Sequence, residues 1–117
     1  MDVFGVALSG MQSAQAQLLV GADNLANLDT PGFKASRVDL AEAPGGGVEV
    51  SGIERETTPG PLGSDGQEGS NVDLASEMIG LSRARTLYGA NAMVVRTADQ
   101  MTGTLLDIMD SHRHAHQ

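Results

Sequence analysis

Two stretches of the chain carry apolar residues at helical spacing. In the first, Phe4, Leu8, Met11, Gln15, Leu18, Ala22 and Leu25 step alternately by four and three, a heptad seam holding one glutamine. Its flanks Ala7, Ser9, Gly10, Ser13, Ala14, Ala16 and Gly21 are small and neutral, and no Asp, Glu, Lys or Arg occurs from Val3 to Ala22. An ordinary surface helix shows charge on its solvent face. A helix without such a face is expected to meet neighbours on several sides, partner subunits among them. Gly5, Gly10 and Gly21 each cost about 1 kcal/mol of helix propensity relative to Ala. Alone the segment is marginal, so its ordering is expected to be coupled to packing.

The second stretch, Asn71–Met109, contains no proline and has glycine only at Gly80, Gly89 and Gly103. Its stripe runs through Leu74, Met78, Leu81, Tyr88, Ala92 and Val95, then Ala98, Met101, Leu105 and Ile108. Arg85 interrupts it once, where Ala84 can take over the contact. Asn71 or Asp73 can cap the start by accepting a backbone N–H. Glu77 suits the N-terminal dipole. Such a helix is roughly 55 Å long, whereas a compact domain of this size has a radius of gyration of about 13 Å. It must project beyond what the rest of the chain can cover.

Between the helices the pattern changes. Asn24, Leu25, Ala26, Asn27, Leu28, Asp29, Thr30, Pro31, Gly32 and Phe33 read as a sharp stop. Pro31 excludes Thr30 from helical geometry. Pro31-Gly32 fits the centre of a type II turn, and Asn24, Asn27 and Asp29 can bond the last helical carbonyls or the turn amides. Lys34–Leu40 and Val48–Val50 alternate, with Ile53 continuing past a Ser51-Gly52 bulge. The Pro44-Gly45-Gly46-Gly47 run between them reads as a turn, so a small β-hairpin is expected. Thr58–Gly69, rich in Pro and Gly, reads as an irregular return loop. The expected organisation is mainly α: residues 1–28 and 71–110 form an antiparallel coiled-coil hairpin, 29–70 a β-hairpin and loop insertion, and 111–117 a flexible tail.

Composition narrows the function. The net charge of −8 argues against nucleic acid, which needs clustered Lys and Arg, and against anionic lipid. Only 3% of residues are aromatic, too few large anchors for a thick self-sufficient core. Cysteine is absent, which rules out disulfides and thiolate zinc sites. The start lacks the basic segment and long apolar core of a cleavable signal peptide, and no stretch suits a membrane span. The glycine run has no following Gly-Lys-Ser/Thr, so it is not a phosphate loop. The acidic residues of the middle lack the cleft and stacking aromatics of a glycosidase. No catalytic residue, cofactor site or metal site is assigned. Arg83, Arg85 and Arg96 are available to acidic groups of a neighbouring subunit or to solvent. His112 and His116 would share a face, and bind a divalent metal weakly, only if the helix continued. A frayed tail is the expectation there.

The stretch Ala22-Asp23-Asn24-Leu25-Ala26-Asn27-Leu28-Asp29-Thr30-Pro31-Gly32-Phe33-Lys34-Ala35 resembles the N-terminal signature of the bacterial flagellar basal-body rod and hook family. Ser70-Asn71-Val72-Asp73-Leu74, Glu77-Met78, Arg85, Tyr88, Ala90-Asn91, Thr97-Ala98-Asp99, Met101 and Leu105-Leu106 resemble its C-terminal signature. The short middle resembles that of the proximal rod subunits. The resemblance implies a structural subunit of the rod, exported through the flagellar type III channel without a cleaved signal peptide. Its terminal helices would pair as a coiled coil and assemble with other rod subunits and copies of itself. The product would be a helical periplasmic tube that carries motor torque to the hook. The packing positions expected to serve that assembly are Phe4, Leu8, Met11, Leu18, Leu25, Leu74, Met78, Leu81, Tyr88, Val95, Met101, Leu105 and Ile108. The alternative from the residue pattern is a free-standing helical-hairpin adaptor that dimerises in the cytoplasm.

Overall fold

A computed structural model describes residues 2–116; Met1 and Gln117 lie outside the described residues. Four elements follow in order: α1 (Val3–Ala26), β1 (Ser36–Glu42), β2 (Val48–Arg55) and α2 (Leu74–Ala115). Asp2 caps α1, its carboxylate accepting the Gly5 N–H at 2.6 Å. The helix ends at Asn27, whose amide donates to the Asp23 carbonyl and whose Oδ1 accepts from Thr30 Oγ1. The Phe33 N–H then reaches the Thr30 carbonyl at 3.2 Å. Gly32 sits at φ 71°, which completes the type II turn expected around Pro31-Gly32.

β1 and β2 form an antiparallel hairpin, pairing Ser36 with Arg55 and Glu42 with Val48. The register shifts between Asp39 and Leu40, which face Gly52 and Val50. Ser51 is therefore the extra residue of a bulge, and its hydroxyl donates to the Asp39 carbonyl. At the tip, the Gly46 N–H bonds the Ala43 carbonyl and Gly45 takes φ 86°, a second type II turn built on Pro44-Gly45. β1 is displaced two residues toward the C-terminus from the expected Lys34–Leu40, and β2 outruns its expected span, because the bulge absorbs the break in alternation and pairing continues to Arg55.

α1 lies between the other layers. α2 packs on one side of it and the hairpin on another, with the Val48 N–H donating to Ser9 Oγ at 3.1 Å. Ser13, buried on the same flank, returns its hydroxyl to the Ser9 carbonyl. A twenty-four-residue helix that carries no charge before Asp23 thus has protein on two sides within its own chain.

α2 is antiparallel to α1: Gly10 faces Asn91, Gly21 faces Leu81, and Asn24 bonds Glu77. The cap is Asp73, accepting from Ala75 and Ser76. Asn71 does not cap; its side chain is engaged elsewhere, as described below. At 42 residues the helix spans about 63 Å, and the molecule measures 85 × 24 × 14 Å. It runs through Ala115 rather than stopping at Met109, since no Gly or Pro intervenes and Arg113 favours the C-terminal end of the dipole. The 111–117 segment expected as a flexible tail is therefore helical as far as Ala115.

The α1 seam differs in register from the expectation. Ala7, Gly10, Ala14, Gly21 and Asn24 form the stripe turned to α2, with Ala7, Ala14, Gly21 and Asn24 buried. It lies one position before the heptad read from Met11, Leu18, Ala22 and Leu25. Small residues occupy the contact because they let the two backbones approach.

Two glycine substitutions separate crowding from propensity. A Cβ on Gly60 would lie 2.7 Å from the Gly69 carbonyl carbon and 2.9 Å from that of Ser70, both backbone atoms. Gly60→Ala is expected to cost about 1–3 kcal/mol. Gly103 has nothing within 4 Å, so Gly103→Ala should raise helicity and stabilise α2 by about 1 kcal/mol. Thermal and urea denaturation followed by circular dichroism measure both.

Candidate assembly surface

Two asparagines hold the base of the helical hairpin. Asn24 is 1% exposed. Its Oδ1 accepts the Ser36 N–H at 2.9 Å while its Nδ2 donates to the Ser36 carbonyl at 2.8 Å. The amide thus pairs with β1 as a strand would. The same Nδ2 donates to Glu77 Oε1 at 3.1 Å, so one side chain joins α1, β1 and α2. Asn71 does the equivalent for the crossover segments. Its Oδ1 accepts from the Ala35 N–H, and its Nδ2 donates to the carbonyls of Glu56 and Thr58. These roles replace the expected capping of α1 by Asn24 and of α2 by Asn71. Both contacts join residues distant in sequence, which a local reading of caps and turns does not detect.

The return loop is tied by an ion pair. The Lys34 ammonium meets the Glu68 carboxylate, which also accepts the Gly60 N–H at 2.9 Å. The Lys34 hydrogen bond, then that of Gly60, holds the Glu68 carboxyl below the usual carboxylate range. On the hairpin, Arg37 pairs with Asp39 and Glu54. Among the described residues Arg83, Arg85 and Arg96 form no ion pair within the chain.

The α1–α2 contact is close. A Cβ on Gly21 would meet Leu81 Cδ2 at 2.7 Å, and one on Gly10 would meet Asn91 Nδ2 at 2.6 Å. Opposite this stripe α2 presents Glu77, Leu81, Ala84, Tyr88, Asn91, Ala92, Val95 and Ala98, all buried or half-buried. Ala84 is fully buried, as expected where Arg85 breaks the pattern.

The remaining packing positions are distributed between the chain's interior and its surface. Met11, Leu18, Leu25, Leu81, Tyr88 and Val95 are half-buried. Phe4, Leu8, Leu74, Met78, Met101, Leu105 and Ile108 are exposed. Among the signature residues, Val72 is buried, Leu25, Asn27, Phe33, Asn71, Tyr88 and Asn91 are half-buried, and Ala26, Thr30, Pro31, Gly32 and Asp73 are exposed. Beyond Ala98 every described residue of α2 is exposed, an overhang of about 25 Å carrying Met101, Leu105, Leu106, Ile108 and Met109. α1 also exposes an uncharged face at Leu8, Gln12, Gln15, Leu19 and Ala22, with Leu19 at 73%. Leu19 was not among the expected packing positions; its place one heptad after Gln12, outside the expected seam, was the available signal.

A groove bordered by Gln17, Val20, Arg37, Glu77 and Arg83 is open to solvent. The surface offers apolar helix faces, which suit protein contact.

Asn24→Ala removes both partners of Ser36 and one of Glu77. An orphaned buried group costs about 1–3 kcal/mol, so the variant should lose at least about 2 kcal/mol in urea denaturation. Glu68 contributes stability above its ordinary pKa, and that contribution is lost as pH falls through its lowered folded value. Wild-type stability should therefore drop more steeply than that of Glu68→Gln below about pH 4.3, as read from parallel denaturation curves.

Comparison with known proteins agrees with this architecture. The family model described as flagella basal body rod protein matches residues 4–34, covering α1 and the turn after it. The model described as flagellar basal body rod FlgEFG protein C-terminal matches residues 66–108, which include most of α2. The flagellar hook proteins FlgE of Salmonella typhimurium and Escherichia coli are each 31% identical over 106 residues, 89% of this chain and 26% of theirs. The flagellar basal-body rod protein FlgG of Agrobacterium fabrum is 34% identical over 62 residues, 53% of this chain and 24% of its own. The chain spans about a quarter of the length of these curated relatives. With one terminal region of the family on each of its two paired helices, in the same chain order, this protein belongs to the flagellar basal-body rod and hook family, whose members here are structural proteins rather than enzymes.

Proposed function

We propose that this chain is a structural subunit of the flagellar rod, most like a proximal one. It assembles through its terminal helices with copies of itself and other rod subunits into a helical tube that transmits motor torque. The observation that carries this reading is the bare end of α2. Met101, at 67% exposure, Leu105, Leu106, Ile108 and Met109 project past α1, and none of the described residues covers them. An exposed apolar patch of this kind marks an interaction surface. A head-to-tail contact between one end of an elongated subunit and the side of the next generates an open helical array. The short middle supports a rod rather than a hook subunit: only a two-stranded hairpin and one loop separate the two family regions.

Passage through the type III export machinery, with function in the periplasmic part of the basal body, follows from the same reading. The marginal α1 and the absence of cysteine suit a chain that travels unfolded and orders on arrival. Arg83, Arg85 and Arg96 set register against acidic groups of neighbours. Exposed pairs contribute only about 0.2–1 kcal/mol each, so the apolar faces supply most of the affinity.

Leu105→Asp tests the assembly face. The residue is exposed and lies beyond α1, so the variant should fold with an unchanged circular dichroism spectrum and still be exported. It should fail to enter the rod and abolish swimming when it is the only copy present. Normal motility and normal incorporation into isolated basal bodies would contradict the proposal.

A further inference from the structure

All three histidines of the chain lie at the end of α2, His112 and His114 in its last turn and His116 as its C-cap, beyond the residues that match the family's C-terminal model. Positions four apart stack on one helix face, and His112 and His116 do so. Their rings meet edge to face with centroids 4.5 Å apart, and their Nε2 atoms are separated by 3.1 Å. His114 is differently engaged, its Nε2 lying 3.5 Å from the Asp110 carboxylate.

Two imidazole nitrogens 3.1 Å apart share a hydrogen bond in this edge-to-face arrangement, and rotation of the rings toward a common point brings both lone pairs onto one cation. Metal–imidazole bonds measure about 2.0–2.1 Å. With bonds of that length, the observed 3.1 Å separation subtends roughly 100° at the ion. This lies between the angle of about 90° at adjacent positions of a square-planar or octahedral ion and the tetrahedral angle of about 109°. The donor set is imidazole alone, which suits nickel, copper and zinc over magnesium or calcium.

We propose that His112 and His116 chelate a borderline divalent cation through their Nε2 atoms, forming a two-coordinate clamp on the end of α2. Among the described residues no cluster of three or more His, Cys, Asp or Glu side chains could complete a closed site. The remaining positions are taken by water, and the ion is exchangeable. Tying one turn to the next holds the helix end where α1 no longer supports it, opposing the fraying expected of an exposed terminus.

Nickel(II) is a suitable probe. Titrated into the whole protein and followed by calorimetry and proton–nitrogen NMR, it should bind one ion per chain. The resonances of His112 and His116 should broaden before those of His114, and helicity should rise. His112→Ala and His116→Ala should each weaken binding at least about tenfold, the equivalent of about 1.4 kcal/mol, and abolish the gain in helicity. His114→Ala should retain affinity within about twofold. These side chains are exposed and far from the α1 contact, so the variants keep the fold. An equal loss in all three variants, or unchanged affinity in His112→Ala and His116→Ala, would overturn the assignment.

Discussion

The close approach of α1 and α2 governs the rest of the structure. Helix separation follows the size of the side chains at the contact. Here α1 supplies Ala7, Gly10, Ala14 and Gly21, against which Leu81 and Asn91 seat directly. Using small residues at the contact leaves large ones on other faces. Leu8 and Leu19 on α1, and Leu87 and Val94 on α2, are exposed for this reason. The paired helices therefore present apolar surface outward, the reverse of a self-contained bundle.

The same contact fixes where cover ends. The antiparallel pairing places the start of α1 opposite the region of Ala98, and α2 continues beyond it uncovered. At the opposite end Asn24 and Asn71 lock the helices to the hairpin and return loop through hydrogen bonds to backbone groups. One end is held by directional polar contacts and the other is bare and apolar. An elongated body with two unlike ends is suited to head-to-tail addition without closure, which is what the proposed rod role requires.

Much of this was legible from residue order. Proline and glycine marked both turns, the one at Pro31-Gly32 as type II, and the alternation around Ser51-Gly52 marked the bulge, because these depend on local backbone preferences. The inward stripe of α2 from Leu81 to Ala98 was legible because its large residues do face α1. The seam of α1 was not. Hydrophobic periodicity favours Leu and Met, whereas the contact uses Ala and Gly, so the chosen heptad was displaced by one position. Asn24 and Asn71 were read as local caps because their partners, Ser36, Glu77, Ala35 and Thr58, become neighbours only in the folded chain. The helical course of residues 111–115 was missed for another reason: nothing there breaks a helix, yet nothing packs against it either.

The central claim is that the end of α2 lacks cover within its own chain. Amide hydrogen exchange measures this directly, comparing the isolated protein in dilute solution with the protein assembled in basal bodies. Amides of residues 77–95 should be protected in both states. Those of residues 100–115 should exchange with an opening free energy near zero in the isolated chain and become protected on assembly. Protection of residues 100–115 in a dilute monomer, equal to that of residues 77–95, would contradict the account.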